Sequence, residues 1–500
     1  MRSKKAIKNI IFSFGLNIVT IIFGFIVPKL IIVNYGSNTN GLINSITEFL
    51  GYIALLEAGI GPVIKSKLYK PIAYKDEKEI KNILYASQKF FNVIVYIFIV
   101  YIIGLLLIYP NIVSGNFDKI FTISLLLIIS VSTLAEYFFG ITYSLFLQAK
   151  QENYITSVFR IVTTILNSSV VIALILLKSD ILLVKGISAI ILVLRPIILN
   201  LYVKKKYKLD FKDVDKNYKI KDKWDGLAQH IAAVIHGKTD IVVLTLFTSL
   251  AEVSIYSVYL LVINGIKIFA ESFTSGIDAT FGDMIAKDEH ESLNNSFKLY
   301  ETIYYTILTI VYACTILLIV PFVKVYTTGV TDANYIRPLF AFFIVLGHFM
   351  HAIRLPYSTL TYSAGHFKET MKGAWIEAIT NVVISVALVL KFGMVGVAIG
   401  TLVAMLIRTI EFNYHSSKYI LKRNILKNFI KPFVSVIEVL ILFFALNYLN
   451  IINVTNYFNW ILYAVIILGI SSVVIALINL CLYKNDFVQI KNLIKNRKKA

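Results

Sequence analysis

Apolar runs of about twenty residues recur from one end of the chain to the other, each closed by charged or turn-forming residues. Twenty residues of helix rise about 30 Å, the thickness of a bilayer's hydrocarbon core. The pattern predicts fourteen helical spans, with cores at 10–33, 41–64, 86–108, 119–147, 154–177, 181–203, 225–247, 251–281, 297–322, 336–362, 369–390, 393–414, 432–449 and 457–483. The longest polar stretch between apolar territories, Lys204 to Lys223, falls just before the middle of the 500 residues. The first run extends from Ile10 to Val33 with no small-residue cleavage site after it, so it reads as a span and not a signal peptide.

Composition agrees with this pattern. Charged residues make up 16% of the chain, against roughly 25% in a soluble domain. A net charge of +20 would point to nucleic acid in a soluble protein. Here its distribution decides otherwise. With the N-terminus inside, about 36 of the 49 Lys and Arg fall on cytoplasmic segments and about 6 on the opposite loops. The basic excess is then a topology signal. It predicts both termini in the cytoplasm and no nucleic-acid partner. Every connecting loop is too short for a catalytic head, so no enzyme is expected. Cys314 and Cys481 sit in separate apolar spans, which predicts no disulfide framework.

The two territories repeat one another. Ala149 precedes Lys150-Gln151-Glu152-Asn153 as Ala364 precedes Gly365-His366-Phe367-Lys368-Glu369, an offset of 215. Arg195 and Asn200 match Arg408 and Asn413 at an offset of 213. Ala58-Gly59-Ile60 pairs with Ser275-Gly276-Ile277, each ahead of a Lys-Asp-Glu. The period is about six spans, an even number, so the halves enter from the same side as a parallel repeat. The expected fold is an all-α polytopic membrane protein of about fourteen transmembrane helices. Its predicted parts are a six-helix lobe at 1–203, a cytoplasmic linker at 204–224, a second six-helix lobe at 225–414, and two additional helices with a basic tail at 415–500.

Four motifs carry a family resemblance. They are Tyr35-Gly36 with Asn40-Gly41-Leu42; Ala58-Gly59-Ile60-Gly61-Pro62 before a lysine-rich loop; Thr239-Asp240 leading to Ser254-Ile255-Tyr256-Ser257; and Gly393 to Thr401 opening the twelfth span. Through them the whole chain resembles the Wzx-type flippases of lipid-linked oligosaccharide, in the multidrug/oligosaccharidyl-lipid/polysaccharide exporter superfamily. The resemblance implies a pair of six-helix lobes in the bacterial cytoplasmic membrane. It implies alternating access that carries a polyprenyl-pyrophosphate-linked glycan from inner to outer leaflet. It also implies an H+ or Na+ gradient as the drive with no other cofactor, and a pathway shared with a polysaccharide polymerase and glycosyltransferases.

Such a substrate needs cations for its phosphates, and ionisable groups inside spans are functional candidates by default. The seventh span carries His236, Lys238 and Asp240, with His236 and Asp240 on one face. The eighth carries Lys267 and Glu271 four apart, readable as a phosphate contact or as a neutralised pair. The tenth carries His348, His351 and Arg354, whose three-residue steps spread over an arc of about 120°. Arg354 has no carboxylate within a turn of its own helix, and a guanidinium suits bidentate phosphate contact. No metal site is expected from histidines at this spacing. Glu48 and Glu57 on the second span are about 180° apart, so only a bend near Gly59-Ile60-Gly61-Pro62 lets both serve one cavity. With Asp240 they are the candidates for ion coupling. Glu136 and Glu377 are expected to pair with basic residues of neighbouring helices, and Arg195 and Arg408 to snorkel toward headgroups.

Two alternatives stay open. A drug or cation exporter of the same superfamily would have twelve helices and an acidic cavity. A membrane polysaccharide polymerase or glycosyltransferase would need a large external loop or an early external acid, and the loop from Asn34 to Asn40 has no carboxylate.

Overall fold

The computed structural model of the chain describes all residues except 1, 58, 114, 116, 219, 221–226, 275, 276, 450–453 and 498–500. Ala58, Ser275 and Gly276 of the repeated motif and residues 219 and 221–224 of the predicted linker therefore lie outside the described residues. Contacts divide the chain into two compact units, Met1–Ser254 and Ile255–Ala500.

The first unit contains α1 (Arg2–Tyr35), α2 (Ser37–Leu50), α3 (Ala54–Glu57), α4 (Ile60–Tyr74) and α5 (Glu77–Ile112). It continues with α6 (Lys119–Ala135), α7 (Ile141–Ala149), α8 (Asn153–Leu176), α9 (Ile181–Lys206) and α10 (Leu227–Phe247). The division falls within α11 (Leu250–Ser272). The second unit holds α12 (Ile277–Ala286), α13 (His290–Tyr326), α14 (Pro338–Ser363), α15 (Met371–Phe392), α16 (Met394–His415), α17 (Ile425–Tyr448), α18 (Tyr457–Leu482) and α19 (Lys484–Arg497). Among the described residues there is no strand, and thirteen helices are long and apolar enough to cross a bilayer.

The predicted span missing from those thirteen is the second, because its helix is broken. α2 ends in a 3-10 turn at Gly51–Ile53, α3 lasts one turn, and Gly59 takes φ 87 before α4 starts. Only glycine holds that left-handed geometry without strain. Pro62 follows in the first turn of α4, where its missing N–H costs nothing. Non-helical backbone at membrane depth survives only where protein or water covers it.

Caps follow the sequence. Asp76, Asp118 and Asp180 accept from Glu79 N–H, Ile120 N–H and Leu182 N–H to start α5, α6 and α9. Lys204, Lys205 and Lys206 belong to the last turn of α9, where cations complement the helix dipole. The polar stretch after them is held against α5. Asn82 Oδ1 accepts from Asp215 N–H at 2.9 Å, and Tyr218 donates to Glu79 at 2.6 Å.

The motif residues turn out to pack helices. Asn40 of α2 donates to Ser254 of α11 at 2.7 Å. Tyr109 of α5, Ser45 of α2 and Thr245 of α10 form a second buried ladder at 2.7 Å per step. A Cβ at Gly41 would lie 1.8 Å from the carbonyl oxygen of Leu250, so glycine sets that crossing. Gly396 and Gly400 do the same for the α15–α16 hairpin, where a Cβ would meet Leu388 at 2.5 Å and Ser385 at 2.3 Å.

In the second unit aromatic side chains fill the core. Phe297, Tyr312, Phe340, Phe349 and Tyr357 are all essentially buried. Pro356 inside α14 has no N–H to offer the carbonyl of Ala352. Tyr304 of α13 donates to that carbonyl at 2.8 Å, and Tyr305 donates to the next one, Ile353, at 2.9 Å.

Candidate functional site

The break in the second span gives the first unit its polar centre. Lys238 of α10 meets Glu48 of α2 at 2.7 Å, with both side chains about a quarter exposed. A Cβ at Gly51 would lie 2.4 Å from the Lys238 ammonium, so the ammonium reaches Glu48 across a bare glycine. Tyr52 of the 3-10 turn adjoins Thr239, Glu48 and Asp240. Asp240 is 9% exposed, and His236 is half-buried on the same helix. Beside this cluster opens an apolar cavity of about 480 Å³, walled by Phe49, Tyr52, Ile53, Ile97, Phe98, Tyr101 and Val242.

Glu57 goes elsewhere. It accepts from Tyr137 at 2.8 Å, in the π-helical turn Glu136–Gly140 between α6 and α7. The bend therefore separates the two acids of the second span: Glu48 faces α10 and Glu57 faces that turn. Glu136 of the turn pairs with Arg195 of α9 at 2.9 Å, as expected of that acid, and Arg160 lies within electrostatic reach of both.

The second unit distributes its expected site residues over two partners. Lys267 and His351 both approach Glu271, at 3.9 and 3.6 Å. Arg354 pairs with Glu377 of α15 at 2.5 Å, so the carboxylate missing from its own helix comes from the next one. Glu377 also faces Arg408 of α16 at 3.6 Å, and Arg408 bonds Glu411 and donates to the Thr370 carbonyl at 2.7 Å. Two arginines and two glutamates thus form one neutral chain. Arg408 is 2% exposed, so it does not snorkel as expected: its guanidinium stacks on Phe412 at 4.2 Å and stays inside. Gly373 makes the chain possible, because a Cβ there would fall on the Glu411 carboxylate. His348 shares α14 with His351 and Arg354, and its carbonyl accepts from Tyr312 at 3.0 Å.

Sequence reasoning missed a further cluster at one end of the second unit. Glu301 of α13 accepts from Tyr357 at 2.5 Å and from Arg423 at 2.9 Å. Asp486 of α19 accepts from Lys298 at 2.7 Å, Thr302 at 2.8 Å and Lys431 at 3.2 Å. It also missed Glu438 in α17, a lone acid in an apolar span and so visible in principle.

No family model matches the chain, and no curated protein matches its sequence. Solved structures do. The lipid II flippase MurJ in its inward closed conformation superposes with a TM-score of 0.68 at 16% identity, over 95% of this chain and 99% of its own. An inward-facing multidrug resistance MATE family transporter of the MOP superfamily follows at 0.60 and 15%, over 80% and 96%. A point mutant of the Vibrio cholerae MATE transporter VcmN matches at 0.53 and 13%, over 85% and 99%. At such identities the likeness speaks to fold. The chain is thus a multi-pass membrane protein with the fold of the MOP-superfamily transporters, the architecture of a lipid flippase and of multidrug exporters alike.

Proposed function

We propose that the chain is a flippase for a polyprenyl-pyrophosphate-linked oligosaccharide, carrying a cell-surface polysaccharide precursor from the inner to the outer leaflet of the bacterial cytoplasmic membrane. The observation that carries this reading is the broken second span, where the Glu48–Lys238 pair abuts an apolar cavity of about 480 Å³. A charged pair beside an apolar pocket suits an amphiphile with an anionic head and a hydrocarbon tail. The extent of the MurJ likeness adds support. A 95% match leaves about 25 residues uncovered, fewer than α17 and α18 contain, so the match extends into the helices beyond the repeat.

In this reading Arg354, His351, His348 and Lys267 are the second unit's candidates for contact with the pyrophosphate and the glycan, and Lys238 and His236 are the first unit's. A buried arginine needs a counter-charge at all times. Glu377 supplies it in the resting state, and the phosphate exchanges with the carboxylate when substrate enters. Asp240, Glu57 and Glu48 carry the coupling ion, H+ or Na+. Both termini face the cytoplasm.

Deletion of the gene tests the function. The lipid-linked precursor is expected to accumulate on the cytoplasmic leaflet, and normal export in the deletion strain overturns the proposal. The MATE likenesses keep the multidrug exporter as the second reading. Drug resistance on overexpression, with the precursor pool unmoved, would establish it instead. Arg354→Ala is expected to abolish export while the protein remains inserted, and full export by that variant removes Arg354 from the site.

A further inference from the structure

Glu438 of α17 is 4% exposed, and beyond the Asn479 amide facing it neither of its carboxyl oxygens meets a hydrogen-bond donor among the described residues. The side chain opposite is Asn479 of α18, itself 4% exposed. A lone carboxylate in hydrocarbon is expensive, so the group is carried as the neutral acid. A hard cation in its place would need a shell of several oxygens, and one carboxyl with one amide is too few.

Polar groups approach this acid from the α19 end of the unit. Tyr483, just past the end of α18, lies within electrostatic reach of Glu438, Asp486 and Glu301. Its hydroxyl is buried and meets no hydrogen-bond partner among the described residues. Burial pushes Tyr483 above its ordinary 10, so it remains a hydroxyl at neutral pH. Lys431 lies seven residues before Glu438, two turns away on the same face of α17, and its ammonium sits 5.4 Å above the Tyr483 ring. That ammonium meets Asp486 at 3.2 Å, Thr302 at 2.7 Å and Glu301 at 4.0 Å. Asp486 meets Lys298 at 2.7 Å, and the Lys298 side chain is 46% exposed. Arg423, 2.9 Å from Glu301, is the charged group contributed from the turn after α16.

We propose that Glu438 is a proton-binding site, loaded and unloaded from the α19 end of the second unit through Tyr483 and the Asp486–Lys431 pair. On release the Glu438 O–H bond breaks, its proton passes to a water admitted between the two side chains, and that water gives up a proton to the Tyr483 oxygen. The hydroxyl's own proton moves on through a second water to the Asp486 carboxylate, which yields it to solvent. Glu438 is left as the carboxylate, Tyr483 is again neutral, and Asp486 returns to its ion pairs. The site belongs to helices outside the repeat and stands whatever the chain transports.

Infrared difference spectroscopy on the full chain in lipid nanodiscs tests this directly, with pH steps and D2O exchange as the probes. The wild type is expected to show the C=O stretch of a protonated carboxyl that is lost in Glu438→Gln. Identical spectra for the two proteins overturn the site. Tyr483→Phe is expected to keep the band and slow its deuterium exchange at least tenfold. Exchange at the wild-type rate overturns the relay. Asn479→Ala provides an independent reading, because removing the amide opposite shifts the band frequency of an acid at this position. A band unmoved by that change assigns the carboxyl elsewhere.

Discussion

Glu377 stands between two arginines, and the balance of that small chain decides how the second unit tolerates change. Arg354 and Arg408 are both inside the protein, so removing the shared carboxylate leaves buried positive charge without compensation. Glu377→Gln is expected to destabilise by about 3–5 kcal/mol, read as a lower thermal midpoint in detergent. The double variant Arg354→Gln/Glu377→Gln is expected to recover part of that loss, because charge of both signs is then removed. A double variant no more stable than Glu377→Gln would show that the pair is not the source. In the first unit the equivalent test is Gly51→Ala. The added methyl group takes the place of the Lys238 ammonium, which is the end of a flexible chain and can swing away. The fold should survive while the Glu48–Lys238 pair is lost. If export needs that pair, Gly51→Ala abolishes export with wild-type abundance in the membrane, and export at the wild-type rate removes the pair from the mechanism.

At the scale of helices, the structure repairs its own proline. Pro356 leaves the Ala352 carbonyl without an intrahelical donor, and the hydroxyl of Tyr304 takes that place from α13. Tyr304→Phe should therefore cost about 1–3 kcal/mol, since it strands a buried acceptor. In a Pro356→Ala background the helix can supply the missing N–H itself, and the same tyrosine change is expected to cost less. Equal costs in the two backgrounds, measured by thermal unfolding, would refute the coupling. Helix crossings give a second case. Gly41 brings α2 against the start of α11 so closely that a Cβ would collide with backbone, not with a yielding side chain. Gly41→Ala must therefore move a helix, and reduced membrane abundance is the expected outcome.

For the molecule as a whole, two carboxylates outside the spans tie chain segments at the basic ends of their units. In the first, burial pushes Glu152 up, but hydrogen bonds from Lys5 and Tyr207 and the charge of Lys206 hold it below its ordinary 4.5. In the second, burial pushes Asp486 up, but Lys298, Thr302 and Lys431 hold it below its ordinary 3.8. A carboxylate depressed in the folded state contributes stability above its ordinary value, and that contribution is lost as pH falls through the folded one. The thermal midpoint should therefore fall as pH drops below about 4.5, and Glu152→Gln should flatten the upper part of that fall. A pH profile unchanged by Glu152→Gln would refute the assignment.

The amino-acid sequence alone determined the all-helical, multi-pass architecture, because burying twenty residues of backbone in hydrocarbon leaves helices as the simplest way to satisfy every N–H and C=O. It also made the bend after Glu48 legible, since Gly59 and Pro62 are local signals read from a few adjacent residues. The pairing of the matched arginines required the fold. Arg408 lies near a helix end with Glu411 one turn away, a position from which it can snorkel; its other carboxylate, Glu377, is remote in sequence, and only the packing of α15 on α16 sets them 3.6 Å apart. The same holds for Arg354, whose partner comes from the next helix, and for the motif glycines Gly41, Gly396 and Gly400, which prove to be contacts between helices. Periodicity records which residues leave water; it does not record which helix meets which. Partners of buried charges are chosen at that second step, by helix crossings that glycines such as Gly41 and Gly396 permit, and so only the tertiary structure decided them.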